Sequence, residues 1–241
     1  MLIPSYGGLL FDLEVRELSR FFAPARPFFL IVGGKKISSK LPLLKALFPK
    51  TDGILVGGAA ANTLLEARGR QIGKSFSEKR AASILGPSLL HSKRLIAPVD
   101  VVTRRGGQRK TVPADAIHAD AEIVDIGPGT ITAWKNKLRG ARSVLWSGPL
   151  GLVEAGFGAG TIAIARAIGK LRATRIVGGG DTITFFHKNR LLSNTDFSST
   201  GGGAMLDFLS DGTLAGIEAL RKSKRKFKLS PQPKGADEHV S

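Results

Sequence analysis

The chain has 241 residues, 42% of them hydrophobic, with 36 Lys+Arg against 19 Asp+Glu, a net charge of +17 and no cysteine. That length buries a full core as one large domain or two small ones, and the lack of cysteine excludes disulfides, a thiolate nucleophile and cysteine zinc sites. The histidines His91, His118, His187 and His239 show no metal-ligand spacing, no apolar run reaches the ~18 residues of a membrane span, and Met1 to Gly8 lacks a signal-peptide pattern, so a cytoplasmic protein without membrane contact is expected.

Residues 9 to 22 place Leu9, Leu10, Leu13, Leu18, Phe21 and Phe22 at helical spacing. Phe28 to Val32 reads as the first strand, Lys40 to Phe48 as a short helix, Gly53 to Val56 as the second strand and Ala59 to Arg68 as a helix closed by Gly69. A helix is expected around Glu78 to Leu85 and a third strand over Leu95 to Val99. Residues 103 to 113, basic and glycine-containing, read as an exposed loop. Thr130 to Leu138 is a helix, Ser143 to Trp146 the fourth strand, and Thr161 to Leu171 an alanine-rich helix. Arg175 to Val177 is the fifth strand, Asp181 to Lys188 a helix and Phe197 to Ser199 a sixth strand. Helices follow from Ala204 and Leu214. The alternation predicts an α/β fold: a three-layer α/β/α, doubly wound, mostly parallel six-stranded sheet of Rossmann-like type. The domain reading is a helix over residues 1–22, one α/β domain over 23–220 and a basic, disordered tail over 221–241.

Five of the strands end in glycine clusters: Gly33-Gly34, Gly57-Gly58, Gly148 to Gly151, Gly178 to Gly180 and Gly201 to Gly203. In a doubly wound sheet these ends share one edge, where ligands bind, and glycine turns ahead of helices offer N–H groups to anions. Lys36 and Lys40, four apart after the first turn, are suited to one triphosphate, or are a solvated pair. Asp181, after three glycines, is placed to hold Mg²⁺ beside phosphates, or is an ordinary helix N-cap. Thr200 with Gly201 and Gly202 is a backbone cradle for a transferring phosphoryl group, or a tight turn. Glu154 is placed to accept from ribose hydroxyls, or is a surface carboxylate.

The stretches RPFFLIVGGKKISSK, DGILVGGAAANTLL, DIGPGT, VLWSGPLGLVE, TRIVGGGDT and STGGGAMLDFL occur in one order in this chain. With IPSYGGLLFDLEVREL before them, they resemble the C-terminal, nucleotide-binding half of phosphoglycerate kinase over residues 3 to 220. The resemblance implies transfer of phosphate between 1,3-bisphosphoglycerate and MgADP. By matching position, Lys36 would contact the transferring phosphate, Lys40 the α-phosphate region, and Gly201 and Gly202 the transition-state oxygens. Gly34, Gly58, Pro149, Gly151 and Leu152 would line the nucleotide cleft and Glu154 would hold the ribose. Gly179, Gly180, Asp181 and Thr182 would meet the phosphates, with Asp181 as the Mg²⁺ ligand.

Departures from the family pattern are Lys35 for a small residue, Ser147 for asparagine, Ala59 for a third glycine and Asn62 for an aromatic. The 103–111 stretch is short and lacks the phenylalanine that walls the adenine pocket. One residue is missing between Glu154 and Gly160. The family enzyme carries its phosphoglycerate site on an N-terminal domain, and this sequence starts at the segment resembling the interdomain helix. A separately encoded N-terminal half is therefore the implied partner, and the chain alone is expected to bind nucleotide but turn over poorly. The rival reading is a non-catalytic module that binds nucleotide, or binds RNA through the Arg221 to Lys228 block. A dinucleotide-dependent oxidoreductase fits poorly, because the first glycine turn is not GxGxxG.

Overall fold

A computed structural model describes residues 3–228. Four largely apolar runs, one short pair and a Phe-Ser-Ser segment become strands of a single all-parallel sheet: β1 (Phe28–Val32), β2 (Gly53–Val56), β3 (Leu95–Ile96), β7 (Ser143–Ser147), β8 (Thr174–Gly178) and β9 (Phe197–Ser199). They lie in the order β3-β2-β1-β7-β8-β9. The chain winds outward from β1 in one direction and from β7 in the other, so the switch point falls between those two strands. Both are buried along their whole length, as a sheet covered on both faces requires.

The pleat divides the core. Leu30 and Val32 of β1 face one side with Ile54, Val56, Leu145 and Ile176, packed against α1 (Leu9–Ser19), α2 (Leu41–Leu47), α3 (Gly58–Ala67), α4 (Ala81–Leu90), α8 (Gly203–Asp211) and α9 (Ala215–Phe227). Phe29 and Ile31 face the other with Leu55, Val144, Trp146 and Val177, under α5 (Pro128–Leu138), α6 (Ala159–Ile168) and α7 (Gly180–Lys188). Trp146 meets Phe186 of α7 edge to face at 5.1 Å.

Four expectations are corrected. The third strand stops at Ile96, where Ala97-Pro98 turns the chain away, instead of reaching Val99. Residues 103–113 are not a loop: β4 (Asp100–Arg105) and β5 (Gln108–Pro113) pair antiparallel around Gly106-Gly107, both at positive φ, as a two-residue hairpin turn requires. Residues Glu122–Ile126 add β6 on the far side of β4, giving a second, three-stranded sheet, β5-β4-β6. The helix expected near Glu78 to Leu85 runs instead over Ala81–Leu90, broken at Gly86.

Residues 221–227 are also ordered, as the last turns of α9. Ile217 and Ser223 bury one side of that helix, and Ser5 N–H donates to Ser223 Oγ at 2.8 Å. Lys224, Arg225 and Lys226 lie at its C-terminal end, where the helix dipole favours cations. The part of the expected tail beyond residue 228 lies outside the described residues. Among the described residues, no helix is long and apolar enough to cross a membrane.

Candidate functional site

Parallel strands send all their C-terminal turns to one edge, and at the switch point three of those turns are tied together by backbone. Gly33 N–H donates to Ser147 O at 2.8 Å, Gly34 N–H to Pro149 O at 2.8 Å and Gly58 N–H to Leu150 O at 2.8 Å. Contact is so close that a Cβ on Gly33 would sit 2.1 Å from Pro149 O. Side chains brace the loop from beneath. Thr182 Oγ1 accepts from Gly148 N–H at 2.7 Å, Thr161 Oγ1 accepts from Leu150 N–H at 2.9 Å, and Trp146 Nε1–H donates to Gly148 O at 2.7 Å.

Between this edge and the small sheet lies a cleft of about 400 Å³. Gly34, Gly58, Pro149, Gly151, Leu152, Glu154 and Asp181 all line it. Its walls are otherwise mostly apolar, with Ala59, Ala61, Phe76 and Leu150 on one side and Val101, Ile123 and Val124 from the small sheet on the other. An apolar slot with a few polar groups at one end suits a flat ring carrying a polar extension.

The polar end is built on the turn after β1. Lys40 is 9% exposed, and its Nζ lies 3.6 Å from where a Cβ on Gly34 would stand. Burial lowers its pKa, and the charges of Asp181 and Glu78 oppose that shift. Glu78 is itself partly desolvated, which raises its pKa, but hydrogen bonds from Ser38, from its hydroxyl and its N–H, and from the Ile37 backbone outweigh this. The nearby charge of Lys36 adds to that lowering. Lys36 is exposed on the same turn. Gly179 caps α7, and Asp181 stands exposed in its first turn.

The remaining expected residues sit along the same edge. Thr182 is fully buried, and its hydroxyl is engaged by the Gly148 turn. Gly201 and Gly202 precede α8. There, Thr200 donates through both N–H (2.6 Å) and hydroxyl (2.9 Å) to Glu14 Oε1 of α1. The Thr200 N–H is thus committed within the protein.

Four residues of this region escape sequence reasoning. Phe76 supplies an aromatic wall from a segment without periodicity, and Lys35 Nζ lies over its ring at 5.2 Å. Glu14, the anchor of the Thr200 turn, looks in sequence like any helix-surface carboxylate. Asp125 lines the cleft at 5% exposure and accepts from Gly160 N–H at 2.9 Å and Ile126 N–H at 2.8 Å. Its carboxylate fills the space where Cβ atoms on Gly151 and Gly160 would be, so it joins β6, the loop after β7 and the start of α6. Burial pushes the Asp125 carboxyl up to about 6 against the opposing effect of the backbone N–H groups of Gly160, Ile126 and Ala159. Asn62, the fourth, was visible only as a departure from pattern. It is 4% exposed and lines the same cleft.

A family model for phosphoglycerate kinase matches residues 1–212. Phosphoglycerate kinase of Thermus thermophilus is 41% identical over 230 residues, spanning 91% of this chain and 59% of that protein. That of Chlorobium chlorochromatii is 42% identical over 232 residues, spanning 89% and 57%. Among solved structures, phosphoglycerate kinase from Coxiella burnetii superposes with a TM-score of 0.80 at 36% identity, covering 88% of this chain and 58% of that one. The Pyrococcus horikoshii enzyme gives 0.79 at 27% identity. The chain thus spans somewhat over half the length of the relatives it matches.

Proposed function

This chain belongs to the phosphoglycerate kinase family, and from that premise we propose that its cleft takes a magnesium-bound adenine nucleotide for phosphoryl transfer between 1,3-bisphosphoglycerate and ADP. The observation that carries this reading is a buried ammonium, Lys40, set beside the Gly34 turn within the field of Asp181. A buried lysine is costly unless it meets an anion, and phosphate is the anion that glycine turns at helix starts accommodate.

In this reading the base enters the apolar slot between Gly34, Gly58, Pro149, Gly151 and Leu152 and the small sheet, with Glu154 accepting from the ribose. Lys40 neutralises the α-phosphate region, and the exposed Lys36 meets the transferring group. The N-terminal turn of α7, with Gly179, Gly180, Asp181 and Thr182, faces the phosphates. Gly201 and Gly202 offer N–H groups to the oxygens of the group in flight. An ADP β-phosphate oxygen attacks phosphorus as the acyl-phosphate P–O bond breaks, leaving the carboxylate of 3-phosphoglycerate. Such a transfer asks the protein mainly for positioning and charge neutralisation.

Among the described residues no group of three or more His, Cys, Asp or Glu converges. Asp181, an exposed carboxylate in the first turn of α7, would hold Mg²⁺, which takes one or two protein carboxylates with phosphate oxygens and water. Bound with the nucleotide, the ion would offset phosphate charge. The phosphoglycerate site is assigned to a further N-terminal unit, continuous with this chain or made separately, because both substrates must share one closed cleft. The role that follows is in glycolysis, in the cytoplasm.

Calorimetric titration with MgADP tests the nucleotide half. The chain should bind, and Asp181→Ala should weaken binding by roughly a hundredfold, about 2–3 kcal/mol. An Asp181 that merely starts a helix would leave affinity unchanged and sink the assignment. Absence of binding by the unsubstituted chain would sink the whole reading.

A further inference from the structure

Asn62 lies on α3, where the cleft is narrowed by Phe76 and the small sheet. Its Nδ2 donates to Phe76 O at 3.2 Å. A carbonyl only accepts, so this bond fixes the amide orientation and leaves Oδ1 as the other end. Oδ1 is out of contact with water, and among the described residues it has no hydrogen-bond donor. A buried acceptor without a partner is destabilising, and native structures seldom keep one without a reason.

Most of the neighbours cannot supply the missing donor. Ala59, Ala61, Val101, Ile123 and Val124 are apolar, and the carboxylates Glu122 and Asp125 of the same cleft are acceptors when ionised. Lys35, the one cation in the lining, has its Nζ over the Phe76 ring. Oδ1 therefore meets no donor from these lining side chains. A ring that presents a carbonyl there meets like dipoles, whereas a ring that presents an amino group satisfies Oδ1.

Resting on the nucleotide reading above, we infer that Asn62 reads the base: its Oδ1 accepts from an exocyclic amino group, so the cleft selects 6-aminopurine over 6-oxopurine nucleotides. Phe76, the residue whose carbonyl holds the amide, lines the same cleft. Phe76 is 44% exposed, and in this reading its side chain gives way as the base reaches Oδ1. A site built to bond a polar group rejects analogues lacking that group more strongly than an apolar pocket rejects an extra methylene.

The test is calorimetric titration of the whole chain with MgADP, MgIDP and the diphosphate of unsubstituted purine riboside. MgADP should bind about tenfold more tightly than either of the others. Asn62→Leu, close in size and without the acceptor, should lose that preference by weakening MgADP about tenfold while leaving MgIDP unchanged. Asn62→Gln, which keeps both the donor for Phe76 O and an acceptor, should retain the order ADP over IDP and guards against a leucine variant that fails to fold. Equal affinity of the unsubstituted chain for MgADP and MgIDP would overturn the inference while leaving the nucleotide site standing. A preference that survives in Asn62→Leu would also overturn it. If none of the three nucleotides binds, the nucleotide reading and this inference fall together.

Discussion

The two sheets of this protein are built on opposite rules and contribute opposite ends of the cleft. The large parallel sheet consists of short apolar runs buried on both faces, and it meets the cleft almost entirely through backbone turns. In the small antiparallel sheet β4 alternates buried and half-buried positions while β5 is almost wholly exposed; the sheet carries Arg104, Arg105, Arg109 and Lys110 and lines the cleft with Val101, Ile123 and Val124. Backbone suits the polar end because its N–H groups survive every substitution except proline. Side chains suit the ring end because its shape must be set residue by residue. The turns joined at the β1–β7 junction should therefore be intolerant of added atoms, and the side-chain wall adjustable.

The most severe break in that contrast is Gly33→Ala. A methyl group there would collide with Pro149 O and Gly148 O, at 2.1 and 2.6 Å, and both are backbone atoms tied into the β1–β7 junction. Urea denaturation should show a loss of about 3–5 kcal/mol; a loss below about 1 kcal/mol would mean that the junction yields easily.

Asp125 joins the two sheets, and its pH behaviour sharpens the comparison. Its folded pKa of about 6 lies above the ordinary carboxyl value of 3.8. The folded state therefore holds the proton more tightly, so this group's contribution favours folding at low pH and declines as pH rises from about 4 to about 6. Its ionisation costs about 2–3 kcal/mol by pH 7. Other carboxyls, Asp52 and Glu78 among them, are shifted downward and act in the opposite direction. The comparison must therefore be made against Asp125→Asn. The stability of the unsubstituted chain minus that of the variant should fall between pH 4.5 and pH 7, and a flat difference would remove Asp125 from this role.

At the far end of the small sheet the effect should be slight. Gly107 has φ +79°, and a Cβ there would meet nothing within 4 Å. Gly107→Ala should cost about 1 kcal/mol from backbone conformation alone. Amide exchange should quicken in β4 and β5 but not in β1 or β7. Equal quickening in both sheets would show that they unfold as one unit.

The same contrast explains what the sequence made legible. A short apolar run ending in glycine reads as a buried parallel strand, and β1, β2, β7 and β8 follow from such runs, whereas β3 ends at Ala97-Pro98 and β9 carries a single apolar residue. The hairpin signal was also present, since Gly106-Gly107 stands between Val101-Val102-Thr103 and Thr111-Val112. The arginines and lysine around it gave the segment the composition of a loop. They are accommodated because Arg104 pairs with Glu122, Arg105 with Asp120, and Arg109 stacks over Phe157 at 4.5 Å. The basic block after Leu220 misled in the same way: charge density argued for disorder, while Ile217 and Ser223 fixed a helix face. The placement of Lys40 and Asp181 near the glycine turns is visible in sequence, because Asp181 follows Gly180 directly and Lys40 comes six residues after Gly34. Asp125, Phe76 and Glu14 depend on contacts between distant segments, which local spacing does not encode.

The pairing of β1 with β7 brings together strands from opposite halves of the chain. The Gly33 and Pro149 turns meet only after that long loop has closed, an entropic cost that grows slowly with its length. No fragment ending ahead of β7 can hold the cleft, however well its own strands form. During synthesis the pocket therefore cannot exist before β7 has been made and paired with β1.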